Sequence, residues 1–101
     1  MRKEDQNNFC IFTTALDYIE QNLCSEFTQE DIAAVCYCSL SALQKLWRYA
    51  THTSLKEYIS KRRLTNAGMD LLNTNMTVMD IAMKYQYHSY EVFTRAFTKQ
   101  W

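Results

Sequence analysis

One segment occurs twice in this 101-residue sequence, and the internal repeat constrains the fold more than any other feature. Phe27-Thr-Gln-Glu-Asp-Ile-Ala33 recurs as Met76-Thr-Val-Met-Asp-Ile-Ala82, at an offset of 49 residues. After one extra residue in the second copy the offset becomes 50, and the following positions align: Ser39 with Ser89, Leu43 with Phe93, Lys45 with Arg95, and Trp47 with Phe97. Such a repeat indicates that the chain builds one supersecondary unit twice.

Each copy of the repeat begins with a signal for the start of a helix. Thr28 is followed three residues later by Asp31, and Thr77 is followed in the same way by Asp80. A threonine hydroxyl can accept a hydrogen bond from the third residue of a helix, whose acidic side chain can bond back, as in a capping box. The spacing therefore predicts two helices with well-defined starts.

A second helix follows the first in each copy, after a few turn residues. Ser39 and Ser89 can cap these second helices. The predicted bounds are residues 28–36 and 39–51 in the first copy, and residues 77–85 and 89–99 in the second. This order is the outline of a helix-turn-helix unit, whose second helix can enter the major groove of DNA.

Apolar residues recur at helical spacing in both second helices and predict the side that packs into a core. They are Leu43, Leu46, Trp47 and Ala50 in the first unit, and Val92, Phe93, Ala96 and Phe97 in the second. The opposite sides carry polar groups, namely Ser41, Gln44, Lys45 and Arg48, and Tyr90, Glu91, Thr94, Arg95 and Thr98. Such a side is merely solvated in most helices, but these groups can also bond base edges in a major groove.

Two longer helices complete the predicted fold. Apolar spacing predicts an amphipathic helix that closes the first core, through Phe9, Phe12, Leu16, Ile19 and Leu23. A linker helix is predicted over residues 54–73, with packing positions Leu55, Tyr58, Ile59, Ala67, Leu71 and Leu72. About 19 residues span roughly 28 Å, against about 34 Å between successive major-groove faces. The predicted division is a first unit at residues 9–53, the linker at 54–73 and a second unit at 74–101.

The composition favours an all-α domain of about six helices. Proline is absent and Gly68 is the single glycine, so the chain lacks the residues that hairpins need. Hydrophobic residues make up 48% and charged residues 22%, which is typical of one folded domain.

The net charge of zero hides an uneven distribution. Residues 1–38 hold two cations and seven anions, a balance of −5, whereas residues 39–101 hold nine cations and four anions, a balance of +5. The basic portion suits nucleic acid, although the zero total argues weakly against it.

Other function classes find little support in the sequence. The four cysteines, Cys10, Cys24, Cys36 and Cys38, contain no Cys-x-x-Cys pair. We expect buried or partly buried thiols in a reducing compartment, with no metal and no cofactor. No hydrophobic signal region follows Met1, so a cytoplasmic protein without a membrane partner is predicted. No nucleophile and base are suitably paired, which argues against an enzyme.

Over nearly its whole length the chain resembles the DNA-binding domain of the AraC/XylS family of bacterial transcription regulators. The residues that carry the resemblance are Asp31-Ile-Ala, Ser39, Leu43, Trp47, Tyr58-Ile59, Arg62-Arg63-Leu64, Ala67, Asp80-Ile-Ala, Ser89 and Phe93-Thr-Arg-Ala-Phe97. Within the family, Lys84-Tyr-Gln-Tyr87 and the segment Thr94–Trp101 are similar to the small MarA/SoxS/Rob-like regulators.

The resemblance implies a domain that binds double-stranded DNA as a monomer, with one recognition helix in each of two neighbouring major-groove segments. It also implies transcription activation through RNA polymerase and, in some members, a separate effector-binding domain. The implied base-contacting residues are Ser41, Gln44, Lys45, Arg48, Tyr90, Glu91, Thr94 and Arg95. The expected phosphate-contacting residues are Lys61, Arg62, Arg63, Thr98 and Lys99, although a basic run such as 61–63 is also common on a solvated face.

The sequence departs from the family pattern in several places. His52 and Gln86 stand where members commonly have glycine, and both are tolerable if the local backbone avoids positive φ. Glu91 can accept from a cytosine amino group and should change the preferred sequence. Members usually continue into a short closing helix, whereas this sequence ends at Trp101, either as a fragment or as a protein without that helix. Without the helix we expect Phe93, Phe97 and Trp101 to form an exposed apolar patch.

A second hypothesis stays open from the sequence. The chain is then a helical protein-interaction module derived from such a domain, which has lost DNA binding and uses its acidic first portion or its exposed aromatics. Zero net charge and Glu91 favour this alternative. DNA binding that disappears on substitution of Lys45 and Arg95 would distinguish the two hypotheses.

Overall fold

The computed structural model describes residues 2–101 and contains six helices. They are α1 (Lys3–Gln21), α2 (Gln29–Val35), α3 (Leu40–Thr51), α4 (Leu55–Asn73), α5 (Val78–Lys84) and α6 (Tyr90–Gln100). No strand occurs among these described residues, and the prediction of an all-α fold with about six helices is confirmed.

The start of α1 differs from the predicted one. The helix begins at Lys3 rather than near Phe9. Its first turns are thus formed by residues that lie outside the apolar stripe on which the prediction rested. Glu4 and Asp5 lie in its first turn, where acidic side chains interact favourably with the helix dipole. Phe9, which was predicted to pack into the core, is 60% exposed.

The chain forms two compact units that do not follow the predicted division. The first unit comprises residues up to Asn22 together with Phe27–Tyr58, and so contains α1, α2, α3 and the first turn of α4. The second unit comprises Leu23–Glu26 and Ile59–Trp101, and so contains most of α4 with α5 and α6. The loop after α1 therefore belongs to the second unit, and no linker segment stands apart from the two.

The core of the first unit forms where α1, α2 and α3 contact one another. Its fully buried Trp47 packs between two other aromatic rings, at 4.7 Å from Phe12 and 5.0 Å from Tyr58 between ring centroids. Ala50 was predicted to join this core but is exposed at the end of the stripe. The other buried residues of the unit are Ala15, Ile19, Ile32, Ala33, Cys36, Leu43 and Leu55.

The core of the second unit combines α4, α5 and α6. Its buried members are Leu64, Ala67, Ile81, Ala82, Tyr85 and Phe93. The expectation of an exposed Phe93 is wrong, because the rings of Tyr87 and Phe97 lie 5.4 and 5.7 Å from it and leave it 1% exposed. Phe97 is half-buried and Trp101 is 68% exposed. Val92 and Leu72, predicted as packing residues, are exposed.

The capping signals that defined the two helix starts form as hydrogen bonds. In the first unit Thr28 Oγ1 accepts from the Asp31 N–H at 3.1 Å, and Asp31 Oδ2 accepts from the Thr28 N–H at 2.9 Å. In the second unit Thr77 Oγ1 accepts from the Asp80 N–H at 3.0 Å. Each repeat thus begins its first helix with the same side-chain cap.

The turn after the first helix is also the same in both units. The Cys38 N–H bonds to the Ala33 carbonyl at 3.2 Å, and the Tyr87 N–H bonds to the Ala82 carbonyl at 2.9 Å. These are the long bonds of a Schellman motif, which requires a left-handed residue just before the donor. Tyr37 and Gln86 occupy that position with φ of 54° and 71°. Gln86 therefore does not meet the condition that its backbone avoids positive φ.

His52 is a third left-handed residue, with φ of 60° and ψ of 19° at the end of α3. The condition that the backbone avoids positive φ is not met here either. Its N–H bonds to the Arg48 carbonyl at 2.8 Å, so the strained residue ends the helix. A left-handed L-residue costs about 1–2 kcal/mol, whereas glycine adopts this conformation without steric strain.

Replacing His52 with glycine is expected to stabilise the protein. The relief of backbone strain should exceed the extra entropy cost of ordering a glycine on folding by about 0.5–1 kcal/mol. The Tm should therefore rise by roughly 2–8 °C. His52→Ala is the matched control, since alanine removes the same imidazole but keeps the strain. Thermal unfolding of both variants checks this, and equal melting temperatures for the two would contradict the account.

Asp70 on α4 holds the end of α5 in the second unit. Its Oδ2 accepts from Lys84 Nζ at 2.7 Å and from the Tyr85 hydroxyl at 2.8 Å. These two hydrogen bonds, that from Lys84 first, lower the pKa of Asp70 below its ordinary value. Burial, with the bond to Asp70, raises the pKa of Tyr85 to about 12.

Asp70→Asn is expected to destabilise the protein in a pH-dependent way. Because the pKa of Asp70 is lowered in the folded protein, the carboxylate stabilises the fold at pH values above its unfolded pKa of about 3.9. This contribution is lost as the pH falls through the lower folded pKa. At pH 7 we expect a loss of about 1–2 kcal/mol. Thermal unfolding of both proteins at pH 7 and at about pH 2.5 checks this. A difference that stays constant over that range would refute it.

Candidate nucleic-acid interface

The two predicted recognition helices, α3 and α6, begin with the serines that the repeat aligned. Ser39 Oγ accepts from the Ala42 N–H at 3.1 Å, and Ser89 Oγ accepts from the Val92 N–H at 3.3 Å. α3 buries Leu43 and Trp47, and α6 buries Phe93. One side of each helix is thereby fixed against its own core, and the other side is turned to solvent.

The four predicted base-contacting residues of the first unit, Ser41, Gln44, Lys45 and Arg48, are all exposed. Gln44 is held by a neighbour, because its Nε2 donates to Gln29 Oε1 on α2 at 2.8 Å. A surface groove of about 280 Å³ adjoins this pair and contains no acidic residue in its lining. It is lined by Gln29, Gln44, Arg48, Ser54, Leu55 and Lys56.

Three residues of this groove were missed from the sequence: Gln29, Ser54 and Lys56. Gln29 directly follows the Thr28 cap, and the first helix of such a unit crosses the DNA backbone in known complexes. Ser54 Oγ accepts from the Glu57 N–H at 3.1 Å at the start of α4. Gln29 and Ser54 could have been found from the sequence, because both lie at predicted helix starts. No signal in the sequence indicated Lys56.

The second unit carries a groove of about 580 Å³ along α6. Its lining is made of six residues that were all predicted to contact DNA: Tyr90, Glu91, Thr94, Arg95, Thr98 and Lys99. All six are exposed. Thr94 Oγ1 donates to the Tyr90 carbonyl at 2.8 Å, so its hydroxyl proton is already used within the helix. Glu91 is the acidic member of a lining that otherwise contains the cations Arg95 and Lys99.

The predicted phosphate-contacting residues on α4 differ in their surroundings. Lys61 is exposed, whereas Arg62 and Arg63 are half-buried. Arg63 donates from Nε to the Leu23 carbonyl and from Nη2 to the Ser25 carbonyl, both at 2.9 Å. Burial lowers the pKa of Arg63 from its ordinary value, but a guanidinium stays charged in proteins.

The same loop is held by a second side chain. Gln86 Nε2 donates to the Cys24 carbonyl at 2.8 Å, so the carbonyls of residues 23, 24 and 25 all accept from side chains of the second unit. Gln86 is also the left-handed residue of the turn before α6. Arg63 and Gln86 therefore have a structural role in this unit that the sequence did not indicate.

The cysteines are free thiols with different surroundings. Cys36 is buried and Cys38 is half-buried, as expected, whereas the expectation of buried or partly buried thiols is wrong for Cys10 and Cys24, which are exposed. Burial raises the pKa of the Cys36 thiol, whose Sγ donates to the Ile11 carbonyl at 3.5 Å. Within residues 2–101, no three His, Cys, Asp or Glu side chains are grouped as metal ligands.

None of the helices described is both long enough and apolar enough to span a lipid bilayer.

Comparison with known proteins places this arrangement in a family. A helix-turn-helix domain family matches residues 32–101. The chain is 36% identical over 96 residues to the HTH-type transcriptional activator AarP of Providencia stuartii, covering 95% of this chain and 71% of AarP. It is 32% identical over 90 residues to the regulatory protein SoxS of Salmonella typhimurium, covering 89% of this chain and 84% of SoxS.

The fold is also found among solved structures. An AraC-type transcriptional regulator from Chromobacterium violaceum superposes with a TM-score of 0.84 at 22% identity, covering 88% of this chain and 80% of that protein. Two units with capped second helices and an exposed polar side define a DNA-binding protein with tandem helix-turn-helix units. The chain belongs to the AraC/XylS family of DNA-binding transcription regulators.

Proposed function

We propose that this chain activates transcription by inserting α3 and α6 into neighbouring major-groove segments of a specific DNA site. The observation that carries the proposal is the repeated construction of the two helices. Each has a serine cap, a buried apolar side and an exposed side with base-bonding groups. The name of AarP, a transcriptional activator, supports activation over repression.

The chemistry of the side chains assigns them roles in this complex. Arg48 and Arg95 suit guanine, because a guanidinium can bond O6 and N7 together, and Lys45 can contact the same acceptors. Glu91 suits cytosine, which offers an amino donor in the major groove. Ser41, Gln44, Tyr90 and Thr94 complete the proposed base-contacting set.

Phosphate contacts are proposed for the exposed cations and hydroxyls around the two grooves. These are Lys61, Thr98 and Lys99, which the sequence indicated, and Lys56, which lines the first groove. Arg62 stays in the proposed set, whereas the two backbone carbonyls bound by Arg63 favour a structural role for it. We further propose a monomeric, cytoplasmic protein that contacts RNA polymerase.

Salt dependence of DNA binding tests this function. Fluorescence anisotropy with a selected duplex should give an affinity that falls with salt, at a logarithmic slope of about −0.9 for each neutralised phosphate. Lys61→Gln should make the slope less steep by about one and should weaken all sequences alike. Undetectable binding, or binding that does not depend on salt, would refute the proposal and favour a protein-interaction module.

A further inference from the structure

Gln29 lies at the start of α2, yet its side chain reaches the base-contacting side of the first recognition helix. Its Oε1 accepts from Gln44 Nε2 at 2.8 Å, and the two glutamines lie together in the lining of one groove. Gln29 is half-buried and Gln44 is exposed. The pair therefore links the two helices of the first unit through side chains at the proposed DNA surface.

The hydrogen bond leaves Gln44 with the groups that an adenine requires. A glutamine amide has two N–H donors and one carbonyl acceptor. One N–H is used by Gln29, so one N–H and the carbonyl oxygen remain. Adenine presents an acceptor, N7, beside a donor, the N6 amino group, and a glutamine amide can bond both at once.

We propose that Gln29 is a positioning residue that orients the Gln44 amide for contact with an adenine in the major groove. The proposal rests on the proposed DNA-binding function and adds a residue of the first helix to the determinants of sequence preference. The remaining N–H groups of Gln29 can donate to a DNA phosphate, which would fix the pair further when DNA binds.

The two helices hold the pair in place without help from DNA. The Thr28 capping box fixes the start of α2 immediately before Gln29, and the buried Leu43 and Trp47 fix the rotation of α3 around Gln44. Orienting a flexible side chain before binding removes an entropy cost that is otherwise incurred in the complex. The expected consequence is a stronger preference for adenine, not a general gain in affinity.

The experiment compares base preference at one position of the bound site. Four duplexes that differ only there compete for the full chain, and the position is the one at which Gln44→Ala changes the preference. Wild type should prefer adenine by about 5- to 150-fold, and Gln44→Ala should remove that preference. Gln29→Ala should reduce it by about 3- to 10-fold, with little change at other positions.

A conservative variant separates positioning from a general structural effect. Gln29→Glu keeps an acceptor for Gln44 Nε2 and should restore the preference for adenine, although its charge should weaken binding to all four duplexes. In the Gln44→Ala background, Gln29→Ala should have no further effect on this preference. That pattern would support the proposal.

Three results would overturn it. If Gln29→Ala keeps the full preference for adenine while Gln44→Ala loses it, Gln29 does not position Gln44 and the DNA-binding function stands. If Gln29→Ala lowers preferences equally at all positions, its role is a general structural one. If wild type shows no base preference at any position, the proposed function itself fails and this inference fails with it.

Discussion

Arg63→Ala is expected to destabilise the second unit by roughly 2–3 kcal/mol. The guanidinium donates to two backbone carbonyls, those of Leu23 and Ser25, and hydrogen bonds from charged groups are stronger than neutral ones. Without the Arg63 side chain, the carbonyl of the buried Leu23 loses its charged donor. Denaturant unfolding of the wild type and the variant measures the loss.

Arg63→Lys distinguishes this role from a phosphate contact. An ammonium keeps the charge but lacks the planar fork that reaches two carbonyls together. We expect Arg63→Lys to lose most of the same stability, and the salt dependence of DNA binding to remain that of the wild type in both variants. The reverse result, full stability with a less steep salt slope in Arg63→Ala, would restore the phosphate contact predicted from the sequence.

Combined substitution of Lys45 and Arg95 with alanine is expected to abolish specific DNA binding. These residues align in the repeat and lie exposed on α3 and α6, one in each unit. Each base contact is worth about 1–3 kcal/mol, and losses in different units should add, so affinity should fall by roughly 10²–10⁴-fold. A mobility-shift titration with the selected duplex measures the fall.

The matched control removes two charges from another part of the chain. Arg2 and Lys3 are exposed at the start of α1, and their double alanine variant should bind the same duplex within about 3-fold of the wild type. Circular dichroism should show the same helix content in all three proteins. Equal losses in the two double variants would show that binding depends on total charge and not on the two recognition helices.

The repeat explains how much of the fold could be predicted. Thr28, Thr77, Ser39 and Ser89 mark helix starts through local hydrogen bonds, so four helix starts were predicted to within about one residue of where the structure places them. Spacing also separated buried Trp47 from exposed Lys45 on the same helix. That these exposed residues contact DNA remains a prediction.

What the sequence did not predict depends on contacts between distant residues or on backbone strain. Arg63 and Gln86 bond to a loop about 40 and 60 residues earlier in the chain, for which spacing gives no signal. Tyr37 is left-handed although it is not a glycine, so its residue type does not indicate this conformation. The hydrogen bonds of the turn hold it there. The exposed Phe9 and Val92 satisfy an apolar stripe but lie beyond the surface that the neighbouring helices cover.

Selection of bound sequences from a random pool of double-stranded DNA tests the central claim most directly. If both helices contact bases, the recovered sequences should contain two short elements whose centres lie about one helical turn, roughly 10 base pairs, apart. Arg95→Ala should reduce the base preference within one element, and Lys45→Ala should reduce it within the other. Recovery of a single element that neither substitution affects, or no enrichment at all, would contradict the account.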